Sequence, residues 1–78
     1  MWTVKTIYRD HEEPALDGQE SNERFEDAAE AEAQFCMRAA AVGVPAETAT
    51  AALIARADRT ASASVSAHDG SVTITFQA

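Results

Sequence analysis

Apolar positions fall into three patterns along the chain. At the start, Trp2-Thr3-Val4-Lys5-Thr6-Ile7-Tyr8-Arg9 is dense in β-branched and aromatic residues and predicts a strand. Trp2, Val4 and Tyr8 share one face, while Ile7 falls on the other with Lys5 and Arg9. From Asp10 to about Asn22 apolar residues all but vanish, and Pro14 and Gly18 punctuate the stretch, which predicts a loop. Arg24-Phe25 is a candidate for a short second strand. The period then changes. Ala28, Ala31, Phe35, Ala39 and Val42 recur at steps of three and four, one face of a helix.

The ends of that helix are marked. Asp27-Ala28-Ala29-Glu30 has the form of a capping box, with Glu30 and Glu32 near the positive end of the macrodipole and Arg38 near the negative end. Gly43 supplies a left-handed stop, and Pro45 prevents continuation. Pro45 also suits the first position of a second helix running to about Ala57, which would bury Ala49, Ala52, Leu53 and, at the margin, Ile54. Thr48 and Thr50 make it the weaker helix.

At the C-terminal end Asp69-Gly70 is a preferred pair for a two-residue hairpin turn. With the turn there, Ala67 meets Val72, Ser66 meets Thr73, Val65 meets Ile74, Ser64 meets Thr75 and Ala63 meets Phe76. Val65, Val72, Ile74 and Phe76 then lie on one buried face, and a one-residue slip would expose them. The expected fold is a single α+β domain over residues 1–78: a small three-stranded, mainly antiparallel sheet in the order β-α-α-β-β, with two helices packed on one face and an acidic loop around 10–22. The bare face would carry Ser62, Ser64, Ser66, His68, Ser71, Thr73, Thr75 and Gln77.

Composition tempers this picture. Hydrophobic residues are 46% of the 78, but 18 of them are alanine, so the large side chains available to a core are few. Chains this short gain only a small stability margin and often lean on disulfides, metals or self-association. A single cysteine, Cys36, excludes an internal disulfide. Self-association remains, through the Ser/Thr sheet face or an exposed strand edge, and a homodimer is expected. No apolar run approaches the ~20 residues of a membrane span, no basic-then-apolar leader opens the chain, and the lone thiol suits a reducing cytoplasm.

Charge is the most uneven property. The chain carries a formal −7. Residues 10–32 hold ten acids and one base, Arg24, for a net −9, while the remainder carries +2. Such a segment disfavours direct nucleic-acid binding, which needs clustered Lys and Arg. Two readings stay open. The acids are a solvated loop and helix start, or they form a surface that engages a cationic partner, with Glu12, Glu13, Asp17, Glu20, Glu23, Glu26, Asp27 and Glu30 as the contact residues.

Other motifs carry little chemistry. Asp10-His11-Glu12-Glu13 with Asp17 is the densest ligand cluster, but a loop with one histidine seldom fixes a metal's geometry. His68-Asp69 flanks a tight turn, a setting for turn formers rather than catalysts. No catalytic residue, cofactor or metal is expected. Cys36 reads as a half-buried hydrophobe or as an exposed thiol.

In size, in the acidic segment Asp10 to Glu32 and in its α+β plan, the chain resembles the small phage-encoded inhibitors of bacterial defence, above all the anti-CRISPR proteins. That resemblance is one of general character and transfers no residue. It implies a non-enzymatic inhibitor, often dimeric, that occupies the basic nucleic-acid groove of a larger protein such as a CRISPR effector complex, in the cytoplasm of a bacterial cell or phage-infected host. The alternative is a structural or adaptor homo-oligomer subunit with no inhibitory role.

Overall fold

A computed structural model describes all 78 residues, Met1–Ala78. Two hairpins flank two helices: β1 (Trp2–Tyr8), β2 (Gln19–Phe25), α1 (Ala28–Ala41), α2 (Ala46–Ile54), β3 (Ala63–Ala67) and β4 (Gly70–Phe76). All pairings are antiparallel, and the sheet order is β2-β1-β4-β3. The α+β class stands, but the sheet has four strands rather than three, and the order is β-β-α-α-β-β.

The extra strand is β2, which occupies part of the segment expected to be loop. Gly18, at φ +84°, turns the chain back, and its amide donates to the Tyr8 carbonyl at 2.8 Å. Pairing then runs unbroken from Tyr8 opposite Gln19 to Trp2 opposite Phe25. β2 has little hydrophobic alternation of its own. It is a strand because β1 offers a free edge on which its backbone groups are satisfied.

Four rows of side chains line the covered face of the sheet. Phe25, Trp2 and Phe76 form one; Glu23, Val4, Ile74 and Ala63 the next; then Ser21, Thr6, Val72 and Val65; and last Gln19, Tyr8, Gly70 and Ala67. Val4, Val72 and Ile74 are fully buried against Ala31, Phe35 and Ala39 of α1, with Val42, Val44 and Ala49 completing the core. α1 packs on β1, β2 and β4, and α2 on β3 and α1. Trp2 and Phe76 close the core at one end, their ring centres 4.9 Å apart. Phe76 is 38% exposed there, a rim residue rather than the buried one expected.

The ends of α1 follow the sequence closely, and those of α2 depart from it. Asp27 Oδ2 accepts from the Glu30 amide at 3.2 Å, although Glu30 makes no return bond, so the capping box is half formed. At the other end the Gly43 amide donates to the Ala40 carbonyl and the Val44 amide to Ala39 (2.8 Å), with Gly43 at φ +92° and Val44 buried, a full Schellman stop. Pro45 precedes α2 instead of opening it, and α2 ends at Ile54, short of Ala57. Ala49 is buried and Ala52 and Leu53 half-buried, whereas Ile54 is 78% exposed. No helix is long and apolar enough to cross a membrane.

The C-terminal hairpin forms with a register shifted by two residues. His68-Asp69 make the turn, and Val65 stands opposite Val72 rather than Ile74. Asp69 keeps negative φ, so the double positive-φ turn expected of Asp-Gly is not adopted. Gly70 instead sits in β4 opposite Tyr8, pressed against the β1 backbone. A two-residue shift leaves every side chain on its original face, so the alternating pattern could not resolve it. Ser64, Ser66, Ser71, Thr73 and Thr75 lie on the uncovered face as expected, joined there by Thr3, Lys5 and Ile7 of β1 and Glu20, Asn22 and Arg24 of β2.

Candidate functional site

The acidic segment is not one lobe. It starts at one end of the sheet, runs along the β2 edge and finishes at the other end. Seven strand residues at about 3.4 Å each put those two ends roughly 20 Å apart.

At the first end, the β1–β2 connection is held by its own acids. Asp10 Oδ1 accepts from the amides of Glu12 (3.0 Å) and Glu13 (2.9 Å), a local turn that Asp favours. Asp17 Oδ1 accepts from Arg9 Nε (2.7 Å) and from the Asp10 amide (3.1 Å). The Arg9 bond, reinforced by that amide, holds the Asp17 carboxyl below the usual 3.8. The Arg9 amide donates to the Asp69 carbonyl, and His11 Nε2 lies 2.7 Å from the His68 carbonyl, so the connection is tied to the β3–β4 turn. The rings of His11 and His68 stack at 3.9 Å. Around them Arg9, Asp10, Glu12 and Asp69 line an open cleft of about 330 Å³ with no hydrophobic residue in its walls. No three His, Cys, Asp or Glu side chains in the protein converge closely enough to hold a metal ion. Glu12 and Glu13 are exposed, and neither carboxylate has a basic partner.

Along β2, alternation sends Glu20 and Glu23 to opposite faces. Glu20 lies 3.5 Å from Lys5 on the uncovered face. Glu23 turns inward: its carboxylate accepts from Gln34 Nε2 (2.9 Å) and Arg38 Nε (2.7 Å), and Arg38 in turn donates to the Tyr8 hydroxyl at 2.9 Å. This network latches α1 onto β1 and β2. It also holds the Glu23 carboxyl below the usual 4.5, chiefly through Arg38. At the second end, Glu26 and Glu30 are exposed without basic partners, and Asp27 caps α1.

Glu32, outside the expected contact set, has a structural task. It accepts from Arg56 and from Arg59 Nε and Nη2 (3.2 and 2.9 Å), and Arg56 also donates to the carbonyls of Leu53 and Arg59 while its guanidinium lies 6.0 Å from the Trp2 ring. One carboxylate on α1 thus pins the whole connection between α2 and β3. Nothing in the spacing of Glu32, Arg56 and Arg59 along the chain marks this, because the pairing depends on how α2 lies against α1.

Five of the six basic residues are therefore paired within the protein, to Asp17, Glu20, Glu23 and Glu32. Only Arg24 is left among the bases, against nine acids with no basic partner. Of the eight expected contact residues, Glu12, Glu13, Glu26 and Glu30 present free carboxylates, Asp27 is a cap, and Asp17, Glu20 and Glu23 are engaged internally. In a comparison with known protein families, curated proteins and solved structures, nothing matches this chain.

The inward ion pairs predict a pH response. Glu23 and Glu32 have depressed carboxyl pKa values, Glu23 through Arg38 and Glu32 through Arg59 first and Arg56 second. Their contribution is complete above the unfolded-state value near 4.5 and is lost as pH falls through the lower folded value. The thermal midpoint should fall on acidification below about pH 4.5. Glu32→Gln should cost about 1–3 kcal/mol at pH 7, and Glu23→Gln with Glu32→Gln should flatten the acid limb. Parallel melting curves for wild type and double variant from pH 7 to 3 would refute this account.

Proposed function

We propose that this chain is a non-enzymatic acidic binding protein that docks its free carboxylates on a basic surface of a larger protein, a groove of the kind that holds nucleic-acid phosphates. One observation carries the reading: nearly every base is neutralised internally, which leaves Glu12 and Glu13 at one end of β2 and Glu26 and Glu30 at the other as an uncompensated negative rim. The strand that separates the two pairs, β2, is itself roughly 20 Å long, a length over which one strand of a duplex carries about six charges. The partner is a cationic protein, with a CRISPR effector complex as the instance implied by general character. Nucleic acid itself is not the ligand. The lone thiol Cys36 suits action in a reducing cytoplasm.

The structure refines the choice of test. Asp17, Glu20 and Glu23 are unsuitable, since neutralising them releases Arg9, Lys5 and Arg38. The clean variant combines Glu12→Gln, Glu13→Gln, Glu26→Gln and Glu30→Gln, which spares every ion pair and the Asp27 cap. A protein captured from the host at low salt should bind wild type with an affinity that falls steeply with ionic strength, and should lose its own nucleic acid in the process. Binding to the variant should be weaker by roughly fourfold to a thousandfold, at about 0.2–1 kcal/mol for each of the four rim charges. Capture indifferent to both salt and neutralisation ends this reading.

A further inference from the structure

The two edges of the sheet are built differently. An edge strand presents unpaired backbone groups and invites pairing with another chain unless it is guarded. β2 is guarded by Glu20, Glu23 and Arg24 and is flanked by acids at both ends. β3 is not. Its five residues, Ala63-Ser64-Val65-Ser66-Ala67, hold no charge and no proline, and its pairing with β4 runs without a bulge. No backbone group of residues 63–67 bonds to any loop, turn or side chain, so the groups that face away from β4 have no partner in the chain.

We propose that β3 is a self-association edge, where two copies of the chain pair antiparallel about a twofold axis through Val65 and fuse two four-stranded sheets into one of eight. The strand reads the same in both directions. Antiparallel pairing centred on Val65 sets Ala63 against Ala67, Ser64 against Ser66 and Val65 against itself. Hydroxyls then meet hydroxyls on the uncovered face and small apolar groups meet on the core face, both favourable cross-strand pairs.

Charge allows this contact despite the −7 on each copy. Neither β3 nor β4 carries a charged residue. With strands about 4.8 Å apart, the β2 strands of the two copies lie seven spacings, roughly 34 Å, from each other, several times the Debye length of ~8 Å at physiological salt. The axis stands perpendicular to the sheet, so both helical layers fall on the same side. The helix over β3 is α2, with Glu47 as its one charge and Ile54 78% exposed, and the pairing brings the two α2 helices toward each other.

The inference is independent of the carboxylate rim, and its test leaves every acid in place. Sedimentation of wild type from micromolar to millimolar concentration should show a dimer. Ser64→Lys with Ser66→Lys sets lysine opposite lysine across the axis and should give a monomer with an unchanged circular dichroism spectrum. This variant also lowers the net negative charge, so general repulsion would act in the opposite direction. Ser64→Glu with Ser66→Lys sets opposite charges across the axis and should restore the dimer. A monomeric wild type, a dimeric double-lysine variant or failure of the charge-swapped variant to recover each overturns the proposal.

Discussion

Replacing Gly70 with alanine should remove most of the stability of this protein. Gly70 has φ +151°, a region that side-chain-bearing residues rarely adopt. A Cβ built there overlaps the Ile7 carbonyl oxygen and comes within 2.9 Å of Val42 Cγ1. Neither neighbour can give way easily. Ile7 is backbone of a central strand, and Val42 is fully buried beside the Schellman stop. Backbone strain of about 1–3 kcal/mol adds to overpacking of about the same size, so a loss on the order of 3 kcal/mol or more is expected. Gly18 is the internal control: its φ is +84°, but a Cβ there meets nothing within 4 Å, and alanine should cost only about 1 kcal/mol. Urea unfolding of both variants decides the matter. Equal midpoints would mean that Gly70 serves only as a turn residue and that β4 does not press on β1 at that point.

Phe35→Ala should be comparably severe, by about 3–5 kcal/mol. Phe35 is the largest fully buried side chain, and its neighbours in the core are mostly valine and alanine. Such short side chains cannot reach into the space it leaves, so the cavity persists. The whole margin of a chain this size is of order 4–12 kcal/mol, so the variant should lose a large share of it and melt many degrees below wild type. Cys36→Ala, at the adjacent half-buried position, should cost no more than about 1.5 kcal/mol. A Phe35→Ala protein that melts within a few degrees of wild type would show that the core packs around a different centre.

Legibility followed how locally each feature is decided. The start, stop and buried face of α1 depend on groups within one or two turns of each other, and Asp27, Phe35 and Gly43 serve as read from the sequence. β2 depends on a partner. Gln-Glu-Ser-Asn-Glu-Arg-Phe has one apolar residue, and its inward positions are Ser21, Glu23 and Phe25. Glu23 can face inward only because Gln34 and Arg38 arrive from α1 to meet it, so beyond the Arg24-Phe25 end neither the length of the strand nor the engagement of that carboxylate was visible beforehand. The candidate site divides in the same way. Glu12, Glu13, Glu26 and Glu30 were legible only as acids, on the same footing as Asp17, Glu20 and Glu23, because the capture of those three by Arg9, Lys5 and Arg38 required the folded positions of the bases.

By itself, then, the sequence determined the α+β class, the boundaries of α1 set by Asp27 and Gly43, which side of β1, β3 and β4 is apolar and the large excess of acid. These are properties of periodicity, capping and charge count, and they survive any rearrangement that keeps neighbours in place. The tertiary structure alone decided the fourth strand, the two-residue register of the C-terminal hairpin, the meeting of His11 with His68 and the division of the acids into paired and free. Each of these turns on backbone pairing or on a partner tens of residues away, where the energy lies in contacts that a single residue's character does not reveal.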